Sequence, residues 1–147
     1  MVNRFVLMGA CASAAALATP LAAAVPNYIN IVVSQMNDAI SDRSAAGWDF
    51  RQGEIGMIDR GESFEHVLRT DWMKTTEVRA WCDGDCNDVD IEVRDSNGTV
   101  VASDFAVDDH PVVSFEPQPG LIYRARIAMA NCSQDPCYYS MATFTPR

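Results

Sequence analysis

Nine carboxylates stand between Asp83 and Asp109, namely Asp83, Asp85, Asp88, Asp90, Glu92, Asp95, Asp104, Asp108 and Asp109, against Arg94 alone. That is −8 within 27 residues, and charges so dense repel unless something spreads or neutralises them. The chemistry this density suits is calcium, a hard cation that takes six to eight oxygens from Asp side chains and loop carbonyls. Asp83-Gly84-Asp85-Cys86-Asn87 begins like an EF-hand loop, but Asp88 stands where that loop needs Gly and Arg94 where it needs its bidentate Glu. A looser calcium site would join Asp83, Asp85 and Asp88 to Asp108 and Asp109 if their two loops meet at one end of the fold. The bland alternative is that turns favour Asp because its side chain bonds the local backbone, and that a solvated acidic face aids solubility.

Interleaved with these acids are cysteines in two close pairs, Cys82 with Cys86 and Cys132 with Cys137. With Cys11 removed along with the amino-terminal stretch, the four that remain of five cysteines read as two disulfides formed in an oxidising compartment. Three pairings are possible and the spacing favours the local ones. A zinc site of four thiolates competes, but Asp83, Asp85 and Asp135 would crowd anionic sulfurs. The two histidines, His66 and His110, belong to no metal or nucleophile motif, and no HExxH, GxSxG, P-loop or Gly-rich dinucleotide turn is present. A packed or exposed strand position is expected for His66 and a solvated acidic turn for His110. Trp81 shares the polar face of a strand with Glu77 and Arg79. It is a candidate contact for a protein partner or a sugar ring, unless a loop or the amino-terminal helix covers it.

The elements that position these groups follow from periodicity. Tyr28, Ile31, Val32, Met36 and Ile40 recur at three- and four-residue steps, predicting an amphipathic helix from Asn27, its N-cap, to about Ala46, with Gly47 as its stop. Its apolar stripe is narrow, so the helix should lie on the surface of another element. Beyond Gly47 the period drops to two. Phe64, His66 and Leu68 form one such face, as do Val78, Ala80 and Cys82. Val89, Ile91 and Val93 run into the turn Asp95-Ser96-Asn97-Gly98 and return through Thr99 to Ser103, a β-hairpin by its turn chemistry. Pro111 to Phe115, Leu121 to Met129 and Tyr138 to Phe144 complete seven or eight short strands, predicting an all-β, antiparallel sandwich with one amino-terminal helix.

Upstream of the helix, Met1 to Arg4 is positive, Phe5 to Ala18 apolar, and Ala22-Ala23-Ala24 small, which is the pattern of a secretory signal peptide over residues 1–24. Nine of the twenty residues from Phe5 to Ala24 are Ala and Pro20 interrupts them, which speaks against a retained membrane anchor. A helix over 25–47 and a sandwich over 48–147 then make up one domain. The whole chain has 147 residues, 11 Lys+Arg, 20 Asp+Glu and 48% hydrophobic residues. Without Arg4 the processed chain carries −10, which argues against nucleic acid or anionic lipid as a nonspecific partner.

The stretch from Trp81 to Gly98, WCDGDCNDVDIEVRDSNG, together with Ala102-Ser103-Asp104, Asp108 to Val113 and the later pair Cys132-Ser-Gln-Asp-Pro-Cys137 followed by Tyr138-Tyr139, resembles bacterial pre-peptidase C-terminal domains. The likeness is to their cysteine-containing branch and covers about Phe64 to Phe144. It implies a jelly-roll-like sandwich, exported, without catalytic residues, in a family some of whose members bind calcium or attach to polymers. A stand-alone member is the expectation, since 147 residues leave no room for an accompanying peptidase. The expected role is a noncatalytic periplasmic or secreted module that binds a protein or polysaccharide. A small secreted hydrolase with an unrecognised site and an envelope assembly factor acting through its helix are the alternatives.

Overall fold

A computed structural model describes residues 27–147. The signal segment expected at 1–24 lies outside the described residues. One helix, α1 (Tyr28–Ala45), precedes eight strands: β1 (Trp48–Ile58), β2 (Ser63–Val67), β3 (Thr76–Cys82), β4 (Cys86–Asp95), β5 (Val100–Asp104), β6 (Val112–Phe115), β7 (Tyr123–Cys132) and β8 (Cys137–Pro146). They form two antiparallel four-stranded sheets in the orders β1-β8-β3-β6 and β2-β7-β4-β5. Folding the chain back at the β4–β5 hairpin sets β3 beside β6, β2 beside β7 and β1 beside β8, and alternate rungs go to alternate sheets. That is the strand order of a jelly roll.

The hairpin forms where its turn chemistry places it. Asp95 Oδ1 accepts from the backbone N–H groups of Asn97 (2.8 Å) and Thr99 (2.9 Å), and Gly98 takes φ 82°. Between the sheets, Val89, Ile91 and Val93 of β4 meet Tyr123, Ala125, Ile127 and Met129 of β7 and Val78, Ala80, Tyr139 and Met141 of the other sheet, all buried. Alternation is clean in β4 and β7, whose outer faces meet water. In β8 it vanishes, with Tyr139 to Thr145 buried throughout, because the outer face of its sheet carries α1.

Helix α1 ends as expected, with Ala46 N–H bonded to Asp42 O (3.0 Å) and Gly47 at φ 85°. Its covered side is Val32, Met36, Ala39 and Ile40, packed on Trp81, Ala142, Phe144 and Trp48. Ile31, placed in the apolar stripe by spacing, is exposed instead, because the helix axis runs so that Val32 rather than Ile31 meets the sheet. Ser140 Oγ donates to Val32 O at 2.8 Å, and Arg43 pairs with Glu77 at 3.0 Å while lying 4.0 Å over the Trp48 ring. Gly53 of β1 leaves room for Met36, whose Sδ would stand 3.1 Å from a Cβ there.

Both disulfides are the local ones, Cys82–Cys86 and Cys132–Cys137, with Cα separations of 5.7 and 6.2 Å. Each closes a crossing from one sheet to the other, β3 to β4 and β7 to β8. Because Cys86 is the register partner of Cys132, the two bridges lie side by side at one end of the sandwich.

Candidate functional site

The acidic residues gather at the disulfide end but serve separate tasks. Asp83, only 2% exposed, spends both carboxylate oxygens on the backbone: Oδ1 accepts from Asp85 N–H (3.2 Å) and Oδ2 from Tyr138 N–H (2.8 Å). The Asp85 carbonyl accepts from Ser133 N–H (2.8 Å) and Ser133 Oγ (2.9 Å), and its carboxylate takes the Tyr28 hydroxyl, pushing that phenol's pKa up. Asp108 Oδ1 accepts from His110 N–H (3.0 Å), and Asp109 Oδ1 pairs with His110 Nδ1 (2.7 Å). Asp88 Oδ1 is buried without a protein partner. Among the described residues no group of three or more His, Cys, Asp or Glu side chains is placed to hold a metal ion. The calcium set Asp83, Asp85, Asp88, Asp108 and Asp109 is therefore not drawn to one point. The physical reason is that Asp83, which would have to anchor it, is already committed to holding two loops together.

Repulsion remains where Asp90 faces solvent on β4. Its pKa is raised, first by partial burial and then by Asp88 and Asp104, with Arg126 pulling the other way. A carboxyl with a raised folded-state pKa binds its proton more tightly when folded, so its penalty is present at neutral pH and disappears as pH falls through the carboxylate range. Asp90→Asn is expected to raise Tm by about 1–3 °C at pH 7, with no gain at pH 3, by calorimetry at the two pH values.

Trp81 is not an outward contact. It is 9% exposed beneath α1, against Ala39, Ala142 and Phe144, so a binding role through its ring is corrected to a packing one. Strand alternation placed Trp81 on the outer face correctly, but that face of the sheet is covered.

A formed concavity lies instead at the opposite side of the core, between the edge strands β1 and β2. This cleft of about 290 Å³ is lined by Glu54, Ile55, Gly56, Met57, Phe64, His66 and Tyr139. Phe64 and His66 point inward by register, opposite Ile127 and Ala125, yet Phe64 is 57% exposed because two sheet edges diverge there and nothing caps the gap. Gln52 bridges the edges at one end, donating from Nε2 to Val67 O (3.0 Å) and accepting at Oε1 from Arg69 N–H (3.0 Å). The β1–β2 turn closes the other, with Gly61 N–H donating to Met129 O at 2.7 Å.

His66 Nε2 and Tyr139 Oη are 2.8 Å apart, and the His66 ring leans on Phe64 with centroids 5.0 Å apart. Burial lowers the His66 pKa against the opposing pull of Glu54, so the imidazole is neutral at pH 7. Burial, and then Glu54, push Tyr139 up to about 12. A neutral imidazole facing a phenol this reluctant to ionise gives the cleft a hydrogen-bonding wall. The two histidines also respond oppositely to pH. The stability tied to His66 is present above its ordinary pKa and is lost as pH falls from there through its lowered folded-state value. His110, raised chiefly by its bond to Asp109, contributes below the ordinary value and loses that contribution as pH rises through its own.

Gly56 makes the cleft possible. A Cβ there would lie 2.6 Å from the Tyr139 ring, a distance that forces the ring or the strand to move. Gly56→Ala is expected to cost about 1–3 kcal/mol by urea unfolding and to break the His66–Tyr139 bond, read as a change in the imidazole NMR signals of His66. Sequence reading passed over this site because His66 and Tyr139 are 73 residues apart. The signal that could have shown it is a glycine inside an alternating strand, which marks a close approach. Compared with known proteins, the chain matches no family model and no curated protein.

Proposed function

We propose that this chain is a noncatalytic, exported binding module, held by two disulfides, that engages a protein or polysaccharide partner in the envelope or outside the cell. The observation that carries this reading is the cleft between β1 and β2. Its polar wall is a neutral His66–Tyr139 pair, and its mouth exposes Phe64 to solvent. Exposed apolar groups around a few oriented polar ones are the makings of recognition. The disulfides fit an oxidising compartment, and no helix among the described residues is long and apolar enough to cross a membrane. The jelly-roll strand order and the resemblance to pre-peptidase C-terminal domains support the same reading by analogy of fold.

The test places a photo-crosslinking side chain at Phe64, 57% exposed at the cleft mouth, and a second at Val107, exposed at the acidic end, in cells that export the protein. An adduct from position 64 and none from position 107 is the expected result. Turnover of chromogenic ester, peptide or glycoside substrates that disappears in His66→Ala would favour the hydrolase instead.

A further inference from the structure

Resting on that reading, we infer that the β1–β2 cleft takes the basic side chain, Lys or Arg, of an extended segment of a partner protein. Size comes first. At about 290 Å³ the cleft is at the lower limit for a small-molecule pocket and suits one long side chain. Charge comes second. Glu54 is the one carboxylate among the seven lining residues, which include no Lys or Arg, on a chain of net charge −9. Its field reaches the floor of the cleft, since it pulls the pKa of both His66 and Tyr139 upward. Glu54 Oε1 accepts from Gln52 Nε2 at 3.0 Å, which orients the carboxylate and leaves its second oxygen for a ligand. An ammonium or guanidinium placed there gains a counterion, and the exposed ring of Phe64 offers it a cation–π face.

The apolar part of the lining suits the methylene stem of such a side chain, with the exposed ring of Phe64 as its main surface. The backbone on either side completes the case for a peptide. β1 and β2 are both terminal strands of their sheets, so each presents an unpaired edge along the cleft, and an extended chain can bond to one while its side chain enters the gap. Acidification should release it. His66 gains a positive charge as pH falls, facing Glu54 on β1 and the neutral Tyr139 on β8, and a second cation in the same gap then repels the ligand.

The experiment is an NMR titration of the exported, oxidised protein with three probes: N-acetyl-lysine methylamide, its uncharged analogue without the ε-amino group, N-acetyl-norleucine methylamide, and methyl β-glucoside. The lysine probe is expected to move the amides of Gly56, Phe64 and His66 saturably. The norleucine probe should bind about fivefold more weakly, the worth of one partly exposed ion pair. Glu54→Gln should reduce lysine binding to the norleucine level, and lowering pH from 7.5 to 5 should weaken it in the wild type. Equal binding of lysine and norleucine probes, or shifts at these amides with the glucoside alone, would overturn the basic ligand while leaving a binding cleft. Absence of any shift there with all three probes overturns the cleft as the site. Chemical conversion of a probe would overturn the noncatalytic reading beneath it.

Discussion

Removing both disulfides, as Cys82→Ala with Cys86→Ala and Cys132→Ala with Cys137→Ala, is expected to lower unfolding stability by about 4 kcal/mol, roughly 2 kcal/mol for each bridge. The loops are short, with sequence separations of 4 and 5, so each constrains the unfolded chain less than a long-range bridge would. Position adds to the entropy argument. The four cysteines are buried, and the bridges close the two crossings at one end of the sandwich, where β4 and β7 pair through Cys86 and Cys132. Loss of one bridge leaves the neighbouring crossing to hold the sheets together. Loss of both frees that whole end, and the two effects should couple because the pairs are in register contact. Against a typical domain stability of about 5–15 kcal/mol, the fourfold variant is marginal at 37 °C. Denaturant midpoints of the single-bridge and double-bridge variants measure this. An unchanged midpoint after reduction, with four thiols titrating free, would show that the bridges carry no stability.

Trp81→Ala should cost nearly as much, about 3–4 kcal/mol, with a fall in Tm of about 10–15 °C. The ring fills the space between β3 and α1 beside Ala39, Ala142 and Phe144, so truncation leaves a cavity under the helix. The rest of that contact is modest. Only Val32 and Ala39 of α1 are fully covered, and the bond from Ser140 to Val32 O and the Arg43–Glu77 pair supply the remainder. The helix should therefore loosen first, with faster amide exchange in Tyr28–Ala45 than in β4 and β7. Trp81→Phe should recover much of the loss, as a packing role requires. A Trp81→Ala protein that keeps its Tm but loses a partner would instead restore the contact role that residue spacing suggested.

Much of the fold is legible without coordinates because it is local. Turn chemistry in Asp95-Ser96-Asn97-Gly98 and strict alternation on either side specify the β4–β5 hairpin, since both signals lie within a few residues of what they shape. The helix follows from its repeat and from Gly47. The pairing of the cysteines follows from short spacing. The strand β1 is harder to read. Gly53 and Gly56 interrupt its pattern, and their reasons, Met36 on one face and the Tyr139 ring on the other, come from distant parts of the chain.

The candidate site divides along the same line. Acidic crowding from Asp83 to Asp109 is a property of order along the chain and needed no structure. Whether those carboxylates converge is decided by which backbone N–H groups they meet, and Tyr138 N–H claims an oxygen of Asp83 from 55 residues away. Composition, periodicity and cysteine spacing determined an acidic, bridged, antiparallel sandwich with one helix. Only tertiary structure decided that Trp81 is roofed by that helix, that both bridges share one end, and that His66 meets Tyr139 in a gap between two edges. The reason is range: turn and strand preferences act over a few neighbouring residues, whereas a cleft exists only where long-range pairing brings two sheet edges together and leaves the space between them unfilled.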